Sequence, residues 1–390
     1  MIIGIIARVR LLNNKMLNKE NLCNELIITK MSEKELNSGQ FTMFEGLKKL
    51  RNWLPPENWL VVSTLDTHTA GEPLRIVVSG FPEVPGDTIV EKIKYLKENL
   101  DHLRRAIIWE PRGHADMYGA ILTEPVTPEA DFGVIFLTNE GYSSMCGHAI
   151  IAIGKVVVEA GLVDVKEPIT EVKVDTPAGL VRIFAEVEGG KVKWVRFRNV
   201  PSFTLYMDEV VEVPGLGEVR YDLAYGGAFY VFVSAKGVGL RCVPKHYRRL
   251  IEVGMAIKEV VSKVKDIKHP FSEELSFLYG TIFVDEPAST DSHSRHACIF
   301  ANGEVDRSPT GTGVSARLAI LYDRGEVCIN EELVIESIIG TKFTGKVVEE
   351  VRYGPYRAIV PEVGGTAHII AKNTLIIDPN DPLRYGFFIR

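Results

Sequence analysis

Two short segments of the 390-residue chain place a thiol or a hydroxyl beside glycines, directly before a helix-like sequence. In MCGHAIIAIG, Cys146 precedes Gly147 and His148, and in DRSPTGTGVSA, Thr310 precedes Gly311. The free N–H groups at a helix N-terminus bind carboxylates, and glycine lets the ligand approach the backbone closely. A cysteine at such a position is expected to have a lowered thiol pKa and to act as a base, although a buried, unreactive cysteine is the structural alternative. The chemistry indicated is removal of a proton from the α-carbon of a bound carboxylate.

The two segments share one register. The offset of 164 positions that joins the cysteine of the first to the threonine of the second also pairs Gly147 with Gly311 and Gly161 with Gly325. Small residues match often by chance, so the repeat alone leaves duplication and coincidence equally open. If the halves are related by a pseudo-twofold axis, both helix N-termini face one cleft and can hold one carboxylate together.

The elements around these segments are predicted to be mainly strands. WLVVSTLDTHTAGEPLRIVVSGF is typical of a strand, a turn and a strand, and CGHAIIAIGKVVVEAGLV has helical spacing. The chain is therefore predicted to be α+β, with a central helix in each half. We expect residues 1–42 to be a leader outside the core and residues 43–170 to form a first domain, completed by strands from about residues 355–390. Residues 171–354 are expected to form the second domain.

The composition excludes several classes of protein. The net charge is −6 and no long basic run occurs, so neither nucleic acid nor an anionic membrane is expected as a partner. No apolar run approaches the roughly 18 residues of a transmembrane helix. The five cysteines are scattered and form no CxxC, which argues against a disulfide framework and against a structural zinc site. The cytoplasm is the expected location, and no metal site is expected.

Four motifs together resemble the proline racemase family: MCGHAIIAIG, DRSPTGTGVSA, DTHTAGEPLRIVVSG and YGGAFYVFV. The resemblance runs from about residue 60 to residue 377. The family also includes 4-hydroxyproline epimerases and trans-3-hydroxy-L-proline dehydratases. The resemblance implies a diaminopimelate epimerase-like fold, in which two pseudo-symmetric α/β domains each wrap strands around a central helix. The active site is then expected between the two domains.

Thr310 departs from the racemases and epimerases of this family, which carry a cysteine in both motifs, one for each face of the α-carbon. A threonine hydroxyl is neither a resting base nor an efficient proton donor at neutral pH. The pair of Cys146 and Thr310, like the segment EPRGHADMYGA, resembles the dehydratase branch. In trans-3-hydroxy-L-proline the hydroxyl and the α-hydrogen share one ring face, so Cys146 alone can start a syn elimination to Δ1-pyrroline-2-carboxylate. The same thiol or a close neighbour can then protonate the departing hydroxide. No metal or organic cofactor is expected, because the helix termini stabilise the carboxylate of the developing carbanion.

The remaining assignments also rest on the resemblance. Asp306 is expected to hold the ring ammonium of the substrate, although a turn aspartate before a proline is the structural alternative. The backbone amides that are expected to bind the substrate carboxylate belong to Gly147, His148, Gly311 and Thr312.

Four further residues are weaker candidates. His68 and His114 are loop histidines beside glycines, where they could contact the substrate hydroxyl or make turn hydrogen bonds. Phe229 and Tyr230 could wall the apolar side of the ring, although packing of an alternating strand explains them equally well.

Two other functions stay open at this point. One is a proline racemase or 4-hydroxyproline epimerase, against which Thr310 argues. The other is a non-catalytic amino-acid-binding protein on the same scaffold, against which Cys146 and Asp306 argue. The expected partner is a small imino acid, and a homodimer is the default expectation for such enzymes.

Overall fold

The computed structural model describes residues 49–50 and 52–390. The leader expected over residues 1–42, and the start of the first domain expected at residue 43, lie outside the described residues. Residues from Pro55 to Arg390 form one compact unit. No helix among the described residues is long and apolar enough to cross a membrane.

The elements of this unit are five α-helices, three short helical turns and 18 strands. The α-helices are α1 (Ile89–Tyr95), α2 (Asp101–Ile108), α3 (Gly147–Glu159), α4 (Tyr247–Val264) and α5 (Gly311–Asp323), with a π-helical turn at Leu96–Leu100 and 3-10 turns at Lys236–Val238 and Pro244–His246. The first nine strands are β1 (Leu60–Thr69), β2 (Glu72–Ser79), β3 (Gly119–Thr123), β4 (Phe132–Leu137), β5 (Tyr142–Ser143), β6 (Ile169–Thr176), β7 (Gly179–Glu188), β8 (Lys191–Arg198) and β9 (Phe203–Val213). The second nine are β10 (Gly217–Tyr225), β11 (Phe229–Ser234), β12 (Leu278–Asp285), β13 (Ser294–Phe300), β14 (Glu304–Asp306), β15 (Glu332–Glu336), β16 (Lys342–Tyr353), β17 (Tyr356–Gly365) and β18 (Ala367–Ile377).

Strand pairing follows a twofold pattern. The order is β18, β1, β2, β3, β4, β6, β7, β8, β17, β16, β15, β13, β12, β11, β10 and β9, with β5 on β4 and β14 on β13. Each pairing in one half has a counterpart in the other: β2 and β3 are parallel, as are β11 and β12. The antiparallel pair of β8 and β17 lies at the centre of the order. At the two ends of the order, β18 pairs with β1 and β9 pairs with β10. The last strand of the chain therefore completes the half that contains the first strand.

Helices α3 and α5 occupy equivalent places in this pattern. Each has 13 residues, and they begin 164 positions apart, which is the offset found in the sequence. Gly161 and Gly325 follow them at φ of 69° and 71°, a left-handed conformation that glycine adopts without strain. In both helices the residue after this glycine donates its N–H to a carbonyl five residues earlier, at 2.8 Å. The register inferred from small residues is therefore present in the two helices and their caps.

Strands cover both of these helices, which explains why they are apolar almost all round. Helix α3 packs on β1, β7, β8 and β18, and α5 packs on β9, β10, β16 and β17. By contact, β7 and β8 therefore group with α3, and β16 and β17 with α5. The domain boundaries expected after residues 170 and 354 stay a prediction, because residues 55–390 form a single unit.

Candidate active site

The N-termini of α3 and α5 touch each other through two glycines. A Cβ built on Gly147 would lie 2.6 Å from the Cα of Gly311, and one built on Gly311 would lie 2.7 Å from the Cα of Gly147. The ring of Phe197 closes one side of this contact, at 2.9 and 3.2 Å from the two built positions. Any side chain at either position would force the helix ends apart, so glycine is required at both.

A small cavity lies at this junction. Every residue expected to bind the carboxylate or the ammonium of the substrate lines it, together with both helix-capping residues. The lining residues are Tyr118, Met145, Cys146, Gly147, His148, Tyr230, Tyr279, Phe300, Asp306, Thr310, Gly311 and Thr312. The two glycine-rich segments thus meet at one place, as the pseudo-twofold hypothesis requires.

The two loop histidines do not line this cavity. His68 accepts a hydrogen bond from the backbone N–H of Gly71 at 3.3 Å, and His114 accepts one from the N–H of Asp116 at 3.2 Å. Burial lowers the pKa of both imidazoles. These are the turn hydrogen bonds of the structural alternative, and in this arrangement neither ring reaches the cavity.

The two aromatic candidates point to different places. Phe229 does not line the cavity and packs against Tyr225 and Phe203, with ring centroids 4.8 and 5.9 Å away. Tyr230 does line it, and its hydroxyl lies 2.7 Å from Oγ1 of Thr312. The two residues are neighbours on a strand, so their side chains alternate and only one can face the cavity.

Cys146 caps α3 and faces the cavity from an extended backbone conformation, with φ of −144°. Its Sγ lies 3.1 Å from Nδ1 of His148. Burial raises the pKa of the thiol well above its usual value, and the Ala149 N–H and the Tyr118 hydroxyl offset only part of this rise. The expected fall in the pKa of the Cys146 thiol is therefore not found, because loss of solvent outweighs the helix dipole.

His148 is neutral in this environment. Burial lowers the pKa of its imidazole to about 3, and a hydrogen bond to the Pro73 carbonyl only partly opposes that shift. Its backbone carbonyl accepts a hydrogen bond from Oγ1 of Thr69 at 2.8 Å, which fixes the first turn of α3. At rest, the pair formed with Cys146 is thus an uncharged thiol beside an uncharged imidazole.

Thr310 occupies the matching place at the start of α5 but differs in conformation as well as in chemistry. Its φ is 68°, a left-handed value that is rare for a β-branched residue. Its N–H donates to Oγ of Ser308 at 3.1 Å, while no atom of the described residues completes a hydrogen bond to its buried hydroxyl. Burial raises the pKa of both Asp306 and Cys298, and the nearby Thr310 hydroxyl opposes the rise at both groups.

Asp306 supplies negative charge to the cavity. Its carboxylate accepts the N–H of Ser308 at 2.7 Å, and burial raises its pKa to about 6. Glu72 lies near it, is fully buried, and has its pKa raised by burial and by the charge of Asp306. Oε1 of Glu72 has no hydrogen-bond partner among the described residues. Among the residues that line the cavity, the carboxyl group of Asp306 therefore offers a place for a cation.

Tyr118 and Tyr279 also line the cavity, although the sequence did not single them out. They lie at equivalent places, beside the starts of β3 and β12. MYGAIL and LYGTIF, 161 positions apart, are the sequence pattern that could have identified them. Both tyrosines interact with Cys146: burial raises the pKa of each hydroxyl most, and a thiolate at Cys146 would raise it further.

The arrangement can bind a small zwitterion and remove a proton from it. Helix N-termini offer N–H donors for a carboxylate, a buried carboxyl group offers charge for an ammonium, and one thiol faces the space between them. In the part of the chain that the structure describes, no group of three or more His, Cys, Asp or Glu residues could hold a metal ion.

Known proteins share this architecture. A family model described as proline racemase matches residues 64–388. The trans-3-hydroxy-L-proline dehydratase of Colwellia psychrerythraea is 47% identical over 345 residues, which cover 88% of this chain and 97% of the relative. The 3-hydroxyproline 2-epimerase of Burkholderia multivorans is 47% identical over 329 residues, covering 84% of this chain and 98% of the relative.

The fold has a solved counterpart. The crystal structure of a hydroxyproline epimerase from Agrobacterium vitis, with bound trans-4-hydroxy-L-proline, has a TM-score of 0.80 and 32% sequence identity. The match covers 85% of this chain and 96% of that one. It confirms the diaminopimelate epimerase-like fold that the motifs predicted. The chain belongs to the proline racemase family.

Proposed function

We propose that this protein is a hydro-lyase that dehydrates trans-3-hydroxy-L-proline to Δ1-pyrroline-2-carboxylate. The observation that carries the proposal is the pairing of Cys146 with Thr310 at equivalent helix starts on one cavity, which leaves a thiol on one face only. The dehydratase named above, at 47% identity, supports the same reaction.

The cavity suits the two charges of an imino acid. The backbone N–H groups of the first residues of α3 and α5 receive the carboxylate, and Asp306 receives the ring ammonium. With a pKa of about 6, Asp306 is mostly ionised at neutral pH, and a bound ammonium favours the ionised form further. Holding both charges fixes the α-carbon between Cys146 and Thr310.

The chemistry then needs a base on one face. The bound ring ammonium favours the thiolate form of Cys146, and the thiolate takes the α-proton, while Nδ1 of His148, 3.1 Å from Sγ, orients the sulfur. The ring ammonium makes that proton more acidic, and the helix N-termini stabilise charge that spreads onto the carboxylate. The electron pair released at the α-carbon expels the hydroxyl on the neighbouring carbon, and the resulting enamine tautomerises to the cyclic imine.

A second candidate is 3-hydroxyproline 2-epimerisation. The observation that favours it is the Burkholderia multivorans relative of that name, which is as similar to this chain as the dehydratase is. Epimerisation needs a proton donor on the opposite face, where this chain has the hydroxyl of Thr310. We therefore prefer elimination.

One experiment separates the two. The full-length protein is incubated in D2O with trans-3-hydroxy-L-proline, trans-4-hydroxy-L-proline or L-proline, and product and recovered substrate are resolved by chiral chromatography with mass spectrometry. We expect the imine from the first substrate alone. An α-deuterated epimer of any of the three, formed in preference to the imine, would show that the protein is an epimerase or racemase.

The base assignment has its own test. Cys146→Ser should abolish imine formation, because an alcohol is a far weaker base than a thiolate. The matched control is Cys328→Ser, since Cys328 is an exposed free cysteine outside the cavity. Turnover by the first variant equal to that of the control would remove Cys146 from the base role.

We also propose a cytoplasmic location and a homodimeric assembly. The cysteines among the described residues are all unpaired, which agrees with the reducing cytoplasm that we propose. A homodimer stays a prediction, which light scattering of the full-length protein can check.

A further inference from the structure

We propose that the hydroxyl of Tyr118 is the acid that protonates the departing 3-hydroxyl group. The inference rests on the proposed dehydration and identifies the residue that completes it. Cys146 explains how the α-proton leaves, but hydroxide is a poor leaving group unless a proton reaches it. The acid must lie on the same face as the thiol, because the 3-hydroxyl of the trans isomer shares a face with the α-hydrogen.

Tyr118 is held on the thiol side of the cavity. It directly precedes β3, and its carbonyl accepts the N–H of Arg75 at 2.9 Å. Its ring meets the His148 ring edge-on, with centroids 4.8 Å apart, and the side chain is only 1% exposed. The residue therefore packs against the partner of the proposed base and has little freedom to turn away.

The Tyr118 hydroxyl is available to a ligand. It is buried and makes no hydrogen bond of ordinary geometry with the described residues, although Ser143, Tyr279 and Cys146 all lie near it. Tyr118 and Cys146 line the same cavity, and the Tyr118 ring packs on His148, whose Nδ1 lies 3.1 Å from the Cys146 sulfur. The hydroxyl of Tyr230, by contrast, is already paired with Thr312 at 2.7 Å. A substrate hydroxyl beside Cys146 would give Tyr118 the partner that the protein does not supply.

The proton transfers balance without a further reactant. Cys146 thiolate takes the α-proton, the C–H electron pair forms the C2–C3 double bond, and the C3–O bond breaks. The departing hydroxide takes the phenolic proton of Tyr118 and leaves as water. The Tyr118 phenolate then takes the proton from the Cys146 thiol, which restores both groups. Burial raises the pKa of Tyr118, so the phenol stays protonated, as a donor must be, until the hydroxide departs.

Tyr279 provides the matched comparison. It occupies the equivalent place in the second half and also lines the cavity. Its side chain is 7% exposed, and it borders a second, larger cleft as well. Both tyrosines interact with the thiol, but only Tyr279 also borders that cleft. Replacing either tyrosine with phenylalanine removes the same hydroxyl group, so a difference between the two variants reflects where each residue lies.

The test compares two leaving groups. Wild type, Tyr118→Phe and Tyr279→Phe are assayed with trans-3-hydroxy-L-proline and with trans-3-fluoro-L-proline, and imine formation is followed for both. Fluoride is the anion of a far stronger acid than water and leaves without a proton. We expect Tyr118→Phe to slow water loss by about 10²-fold or more, the usual contribution of a general acid, and to change fluoride loss only a few-fold. Tyr279→Phe should change both reactions in parallel.

The outcomes separate this inference from the function on which it rests. No imine from wild type with the hydroxy substrate means that the proposed function has failed. An active wild type with an equally active Tyr118→Phe means that only the acid assignment has failed. Equal loss of both reactions in Tyr118→Phe would make the residue a positioning residue for the thiol. Selective loss of the water reaction in Tyr279→Phe would transfer the acid role to that residue.

Discussion

The contact between the two helix N-termini gives a sharp prediction for Gly147→Ala. The new methyl carbon would lie 2.6 Å from the Cα of Gly311, and ordinary contact begins at 3.4 Å, so the backbones must part by about 0.8 Å. The opposing atoms are backbone, and Phe197 blocks the alternative direction at 2.9 Å. The substitution therefore cannot be accommodated by rotating a side chain.

The expected loss of stability follows from overpacking, which costs typically 1–3 kcal/mol. Unfolding entropy is about 2.1 cal/mol/K per residue, or roughly 0.7 kcal/mol/K for the unit formed by residues 55–390. A cost of about 2 kcal/mol then lowers Tm by about 3 °C. Displacement of the amides by nearly 1 Å should lower kcat/KM by about 10²-fold, because such a shift misplaces the bound carboxylate.

Scanning calorimetry and imine formation measure the two effects. The matched control is Gly141→Ala, where the added methyl group meets no atom within 4 Å and the backbone is not left-handed. Gly311→Ala should reproduce Gly147→Ala, and the double variant should cost less than the sum, because one separation relieves both contacts. A Gly147→Ala protein with the Tm and the kcat/KM of the control would refute the reasoning.

Two further predictions concern Asp306 and Thr310. Because burial raises the pKa of Asp306 to about 6, the ionised carboxylate that binds the ammonium is lost as pH falls through 6, and kcat/KM should fall with it. Asp306→Asn should lower kcat/KM and remove this acid limb from the pH profile. Thr310→Cys supplies the missing group on the second face and should add α-deuterated epimer to the products in D2O. If chiral chromatography finds none, position 310 does not limit the type of reaction.

The paired helices could be predicted because they depend on local rules. A glycine in a left-handed C-terminal cap and small residues at a crowded N-terminus are imposed by backbone geometry, and both recur at the same offset in Gly161 and Gly325. The family motifs then added Asp306 and Thr312, which line the cavity. At each of these positions, the residue type alone indicated the role in the structure.

The protonation state of Cys146 could not be predicted in the same way. The helix N-terminus is visible in the sequence, but the cavity around the thiol is closed by Tyr118, next to β3, and by Tyr279 and Phe300, on strands of the second half of the chain. The role of His68 could not be predicted for a similar reason. A histidine beside a glycine looks the same in sequence whether its ring faces a substrate or closes a turn, as it does here on Gly71.

The backbone of the site is nearly symmetric, while its chemistry is not. Both helices start 164 positions apart and meet through reciprocal glycine contacts, so the carboxylate cradle is the same from either side. The offset that pairs Cys146 with Thr310 also pairs His148 with Thr312, whose hydroxyl is bound to Tyr230 rather than to a thiol. A symmetric cradle with a thiol–imidazole pair on one side only can bind an imino acid in a fixed orientation but can remove its proton from one face alone. The shared backbone thus selects the class of substrate, and the side chains on each face decide what happens to it.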